Sequence, residues 1–268
     1  MEVKLEQANG SLKFLFVPES EDSPDSNEKF RMASRECEFR LPDDVTIDEI
    51  HPDHLALVSL MLCFPFVGKS LTLSWPVSEK FLEGSKIISR FVVRSTDGLV
   101  GQFEPPSDSI PALAFSGGVD SVTALAVMPK DTVGVFLDRP IRGRSLYDKD
   151  APRQICRNLS GLGHSILMVE SDLEYLRDPV GFPVDVANSS PAVLLANKMG
   201  FDSIAFGTIM ESAYKIGHRK YLHYPDGNHN KLWGSLFKAA GIPLNLVVAG
   251  MSEVCTSVIM INHEIGSF

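Results

Sequence analysis

The stretch Ala112-Leu113-Ala114-Phe115, Ser116-Gly117-Gly118-Val119-Asp120-Ser121, Val122-Thr123-Ala124-Leu125-Ala126-Val127-Met128 decides the reading of this chain. Its apolar start predicts a strand, its Ser/Gly hexapeptide a tight turn, and its remainder a helix beginning near Asp120. Gly117 and Gly118 can adopt φ > 0 and let backbone N–H groups come close to a ligand. The helix start adds N–H groups without intrahelical partners and the positive end of its dipole. Such a turn is a socket for a phosphate or pyrophosphate. The competing reading is a plain Ser/Gly turn ahead of a helix.

Outward from this stretch, apolar strands alternate with helices, which is the pattern of a parallel α/β sheet. Strands are expected at Ala112–Phe115, Thr132–Leu137, Ser165–Val169, Ser203–Phe206 and Leu244–Val248. Helices are expected at Asp120–Met128, Ala151–Leu162, Pro191–Met199 and Lys231–Ala240, with Gly163 and Gly200 as helix stops. The expected architecture is a doubly wound, five-stranded parallel sheet over residues 109–268. Ligands in such sheets bind at the carboxyl ends of the strands, near the reversal of strand order.

Residues 1–108 read differently, as a smaller α+β N-terminal domain. Val3–Leu5, Leu12–Val17 and Glu36–Leu41 are strand-like, and the polar Glu19–Lys29 segment between them reads as a mobile loop. Asp53 is placed to cap a helix from His54 to about Phe64, ended by Pro65. Leu71–Trp75 and Ile87–Val93 suggest further strands, with a short helix after Val77, and Glu104–Asp108 reads as a linker.

Composition narrows the class. The chain has 268 residues, 44% of them apolar, enough for a sizeable core. No apolar run has the length of a membrane span, and Met1-Glu2-Val3-Lys4 is no secretory leader. Cys37, Cys63, Cys156 and Cys255 are widely spaced and read as reduced thiols of a cytoplasmic protein without a zinc framework. Net charge is −9, and residues 1–50 hold 13 acids against 6 bases, a balance that disfavours a nucleic-acid partner.

Two commoner phosphate loops do not fit. No lysine lies between Ser116 and Pro129, as a Walker loop requires, and the dinucleotide fingerprint needs three glycines at wider spacing. Ser116–Ser121 instead resembles the Ser-Gly-Gly-x-Asp-Ser signature of the PP-loop ATP pyrophosphatase superfamily (adenine nucleotide alpha hydrolase-like). All six positions fit. Within it the chain is loosely similar to 7-cyano-7-deazaguanine synthases over residues 110–260, through Phe136-Leu137-Asp138, Leu162-Gly163-His164, the Pro191 helix, Gly207, Tyr224-Pro225-Asp226, Ile242-Pro243-Leu244 and Met251-Ser252-Glu253-Val254. It departs from them in lacking their cysteine cluster, in Met251 where a lysine is expected, and in the acidic N-terminal region. The deazaguanine substrate is therefore not carried over.

The resemblance implies ATP as ligand, with Ser116, Gly117, Gly118, Val119, Asp120 and Ser121 around the β- and γ-phosphates. It also implies Leu137 and Asp138 at the adenine and ribose, and Gly207 and Thr208 beside the loop. Asp120 makes sense next to phosphate if Mg²⁺ bridges them, although it could merely cap its helix. Lys215 and Arg219 are the candidates to neutralise charge at the α-phosphorus. Arg139, Arg142, Arg144, Lys149, Arg153 and Arg157 either clamp an anion at the nucleotide site or form a solvated face.

The expected activity is that of a ligase or amidotransferase: ATP gives AMP and pyrophosphate while an oxygen of a small-molecule acceptor is adenylated, then displaced by nitrogen. Ammonia would be free or come from a donating partner, and a homodimer is expected by analogy alone. A sulfur-inserting enzyme acting on tRNA or a metabolite is the alternative. It would need a reactive thiolate at the pocket, whereas Cys156 and Cys255 both read as buried. A third reading is a non-catalytic adenine-nucleotide sensor.

Overall fold

The computed structural model describes residues 1–8, 10–22, 31–42, 44–98, 100–142, 149–213 and 228–263. In chain order the elements are β1 (Glu2–Ala8), β2 (Ser11–Val17), β3 (Arg31–Met32), β4 (Glu36–Arg40), α1 (Pro52–Cys63), β5 (Ser70–Leu73), α2 (Glu79–Ser85) and β6 (Val92–Ser95). They continue as β7 (Ile110–Phe115), α3 (Val119–Val127), β8 (Val133–Asp138), α4 (Asp150–Gly161), β9 (Ser165–Ser171), β10 (Arg177–Asp178) and α5 (Ser190–Met199). The last are β11 (Phe201–Phe206), α6 (Met210–Ala213), α7 (Gly234–Ala239), β12 (Leu244–Asn245) and α8 (Glu253–Asn262).

The protein is α/β, but its sheet is not the five-stranded parallel one expected. Among the described residues ten strands form one mixed sheet in the order β12-β11-β7-β8-β9-β4-β2-β1-β5-β6. The five strands read from residues 109–268 are indeed parallel to their neighbours, with Phe206 paired to Ala114 and Phe115 to Phe136. They do not close a sheet of their own. At β9 the ladder turns antiparallel, pairing Phe39 with Ser171 and Arg40 with Glu170, and the N-terminal strands continue it. Beyond β1 the pairing is parallel again through β5 and β6. The free backbone edge of β9 is the physical reason, because it offers a row of donors and acceptors that β4 satisfies.

Helices cover both faces of the parallel half. Leu113 and Phe115 point to a cluster with Val122, Leu125, Cys156 and Leu159 from α3 and α4, on which α8 lays Met260. Ala112 and Ala114, one residue out of phase, point to the larger cluster with α1, α5 and α7. That alternation is the strand period of two. The larger cluster also takes in Phe14 and Phe39, whose rings meet edge to face at 5.7 Å. Burying each such ring stabilises the fold by about 1.5–3 kcal/mol.

Several local details differ from the sequence reading. Every residue of α1 from Asp53 to Cys63 is buried, so the helix is apolar all round and packed between neighbours. Its N-cap is His51, whose side chain accepts from the Asp53 N–H, with Pro52 in the first turn. Asp53 instead turns inward and accepts hydrogen bonds from the Ser78 N–H at 2.8 Å and the Ser78 hydroxyl at 2.6 Å. The strand expected at Ile87–Val93 starts only at Val92, and the one expected at Leu244–Val248 ends at Asn245. Among the described residues no helix is long and apolar enough to cross a membrane.

Candidate functional site

The hexapeptide forms the expected turn between β7 and α3, but its two glycines play different parts. Gly117 is left-handed at φ +77°, whereas Gly118 is the extended N-cap of α3 at φ −82°. A Cβ on Gly117 would stand 3.0 Å from both Cα and Cβ of Pro152, so the start of α4 leaves no room there. The turn is braced from within. The buried Ser121 hydroxyl donates to the Gly118 carbonyl at 2.9 Å and accepts from the Ser116 hydroxyl at 3.0 Å and the Ser116 N–H at 3.3 Å. The first-turn N–H groups of Val119, Asp120 and Ser121 have no intrahelical acceptor, as at any helix start.

Gly207 is explained by the same approach of backbones. A Cβ on it would lie 2.7 Å from Ser121 Cα, 2.8 Å from Ser121 N and 2.9 Å from the Asp120 carbonyl carbon. The end of β11 therefore rests directly on the first turn of α3. Beside this contact opens a cavity of about 440 Å³, lined by Ala114 and Ser116 from β7 and the turn, Ser121 from α3, and Phe206, Gly207 and Thr208 from β11 and beyond. Asp185, Asn188 and Ser212 complete its lining among the described residues. β9 connects through α5 to β11, which lies on the opposite side of β7 from β8, so strand order reverses between β7 and β11. The cavity sits at that reversal, where open α/β sheets bind ligands.

Of the residues singled out in the sequence, Ser116, Ser121, Gly207 and Thr208 thus share one cavity. Asp120 lies just outside its lining, and its Oδ1 accepts a 2.9 Å hydrogen bond from the Thr256 hydroxyl of α8. Leu137 is buried in the core at the end of β8. Asp138 beside it is gripped by Arg153, with Nε at 2.9 and 3.1 Å from its two oxygens. That carboxylate holds the Arg153 guanidinium above its usual range. Lys215 and Arg219 lie outside the described residues.

The basic run is largely taken up by ion pairs. Arg139 reaches Glu174 at 3.1 Å, Lys149 reaches the same carboxylate at 2.6 Å, and Arg142 reaches Asp172 at 2.8 Å. The acids come from the segment after β9, some thirty positions on, so sequence proximity did not reveal them. Arg144 lies outside the described residues.

Asp185 and Asn188 escaped the sequence reading. They belong to a short 3-10 turn, Asp185–Ser189, leading straight into α5. A polar Asp-x-x-Asn-Ser-Ser stretch ahead of Pro191 was the available signal. Asn188 Oδ1 is buried and has no hydrogen-bond partner among the described residues. Cys156 is buried as read, and burial, reinforced by the Asp138 charge, pushes its thiol up to about 12. Cys255 corrects the reading, because it is exposed in the first turn of α8, which packs with only part of its surface.

Among the described residues no three His, Cys, Asp or Glu side chains converge on a metal site. A magnesium ion that arrives with phosphates needs only one or two carboxylates from the protein, and Asp120 suits that donor set.

Residues 232–268 match a family model described as a family of unknown function, DUF6395. That match takes in α7, β12 and α8, and with α8 the Thr256 hydroxyl that meets Asp120. No curated protein and no solved structure matches the chain.

Proposed function

We propose that this protein is an AMP-forming enzyme of the PP-loop ATP pyrophosphatase kind, which adenylates an oxygen of a small-molecule acceptor for displacement by a nitrogen nucleophile. The observation that carries this reading is the Ser116–Ser121 turn opening onto a polar-walled cavity at the reversal of strand order. Left-handed Gly117, the free first-turn N–H groups of α3 and the Ser116 hydroxyl suit the outer two phosphates of ATP. Held there as one leaving group, they would leave the α-phosphorus facing the cavity.

The acceptor oxygen then forms a bond to the α-phosphorus while the bond to the β-phosphate oxygen breaks, and pyrophosphate departs with that electron pair. Ammonia or an amine adds to the activated carbon, and AMP leaves. The chain's own contribution is position and charge. Each donor fixed where negative charge develops is worth about 2.7–4 kcal/mol in the transition state. Asp120, steadied by Thr256, would hold a magnesium ion, which supplies neutralisation of the phosphate charge when bound. Lys215 and Arg219 remain the proposed cations at the α-phosphorus.

Exposure of Cys255 favours a second reading, sulfur insertion, since an accessible thiol stands on the helix that meets Asp120. Cys255 does not line the cavity, however, and so the nitrogen reading is preferred. Cys255→Ser separates the two: turnover persists under nitrogen insertion and sulfur transfer is lost under the other.

Calorimetric titration with ATP and Mg²⁺ tests the nucleotide site. Binding should be lost in Gly117→Val, which meets both the left-handed backbone and Pro152. Products should be AMP and pyrophosphate. ADP and phosphate, or undiminished binding by the variant, would remove the proposal.

A further inference from the structure

The last helix, α8, is apolar on two faces and buried on one. Thr256, its one buried residue, and Met260 turn towards α3. Val254, Val258 and Ile261, spaced by four and three positions, line the opposite face and are 73%, 52% and 78% exposed. A helix that is apolar all round is ordinarily covered all round. The same molecule shows this in α1, where every residue from Asp53 to Cys63 is buried. The outer stripe of α8 therefore has the character of a contact surface.

Charge decides what suits it. From Leu244 to Asn262 the single charged residue is Glu253, and no Lys or Arg follows Lys238. A cationic partner would be steered to the 13 acids of residues 1–50 instead. An anionic lipid surface is drawn to clustered Lys and Arg, which this stretch lacks. A second copy meets neither obstacle. Two chains of net charge −9 repel each other, yet β1, β2 and β4, from the acidic part, lie beyond β9 from the β7–α3 unit on which α8 rests. Joined through α8, two copies keep their acidic parts apart.

We propose that the outer face of α8 binds the same face of a second copy of this chain, as an antiparallel helix pair about a two-fold axis at Val258. The stripe is symmetric about that residue to within one position. Val254 then meets the partner's Ile261, and Val258 meets the partner's Val258, as a self-complementary contact requires. A standard interface takes about 800 Å² from each partner. Three side chains over two helical turns offer less, so the dimer is weak and forms only at raised concentration.

Sedimentation velocity of the full chain from about 1 to about 500 μM should show monomer passing into dimer. Val258→Glu sets two carboxylates face to face and should raise the dissociation constant at least about tenfold. Val258→Lys should do the same. An equimolar mixture of the two variants should associate again, because opposite charges then meet at the axis. Leu162→Glu, at an exposed apolar position at the end of α4, should leave association unchanged. Cys255 reports the location, being the exposed one of the four cysteines. A rise of about 1.5 Å per residue and an interaxial distance of about 9 Å put the paired thiols about 12 Å apart, within reach of bismaleimidohexane. The cross-linked dimer should form in the unaltered chain and be lost in Val258→Glu. Monomer at every concentration, dimer undiminished in Val258→Glu, a mixture that stays monomeric, or no cross-link would each overturn the proposal. None of these readouts involves ATP, so the nucleotide site stands or falls separately.

Discussion

The Thr256 hydroxyl of α8 lies 2.9 Å from Asp120 Oδ1 on α3 and 3.0 Å from the Glu253 carbonyl of its own helix, so its one proton has two acceptors, one of them across a helix–helix contact. Close by, the Thr123 hydroxyl donates to the Thr256 carbonyl at 3.0 Å. The loop-bearing helix and the last helix are thus joined at the residue proposed to meet magnesium.

Thr256→Val keeps the side chain's shape and removes the donor. Stability should fall by about 1 kcal/mol, and the Mg²⁺-dependent part of ATP binding should weaken while Thr256→Ser preserves it. Titrations with and without Mg²⁺ measure this. An unchanged Mg²⁺ dependence would detach Thr256 from the site.

Gly207→Ala forces a methyl group against backbone atoms of Asp120 and Ser121, which cannot rotate away. A loss of about 1–3 kcal/mol is expected in denaturant unfolding. Gly101→Ala is the control, since a Cβ there meets nothing within 4 Å. Equal stability of the two variants would contradict the close approach of β11 to α3.

His54 gives the fold an acid-sensitive point. The ring is fully buried against Phe103, neither nitrogen has a well-formed hydrogen bond among the described residues, and burial lowers its pKa to about 3. The His51 charge adds to this lowering, and the Ala240 backbone opposes it. Below its ordinary value of 6.5 the unfolded chain binds a proton that the native chain refuses. Its contribution therefore falls as pH drops from 6.5 towards 3, by at most about 1.4 kcal/mol per unit. His51, lowered by its own burial, acts in the same direction. Asp53, raised by burial, acts oppositely just above its ordinary 3.8. His54→Leu should flatten the decline in melting temperature between pH 6.5 and pH 4, and an unaltered slope would contradict this assignment.

Lys149 and Glu174 are both nearly buried, and Lys149 also donates to the Pro140 carbonyl at 3.0 Å. Lys149→Met leaves Glu174 with Arg139 as its remaining ion-pair partner among the described residues and should cost about 3 kcal/mol. Adding Glu174→Gln should recover part of the loss. A double-mutant cycle by chemical denaturation reads the coupling, and simple additivity would deny that the pair acts as one.

Local pattern carried the central part of the fold. The run from Ala112 to Met128 announces strand, turn and helix because its apolar residues and glycines act on their immediate neighbours. The four other parallel strands were visible for the same reason, although Leu244–Asn245 proved shorter than its apolar run. Tertiary structure decided what touches across distance. The β4–β9 pairing that merges both halves into one sheet depends on which backbone edge lies free. His51 rather than Asp53 caps α1 because Asp53 is claimed by Ser78, twenty-five positions on. The arginines after β8 find their acids beyond β9, and Asn188 becomes notable only because the α5 turn brings it to the wall of the cavity. Periodicity in a chain records which face is buried; it carries no record of what that face, or an exposed backbone edge, will meet.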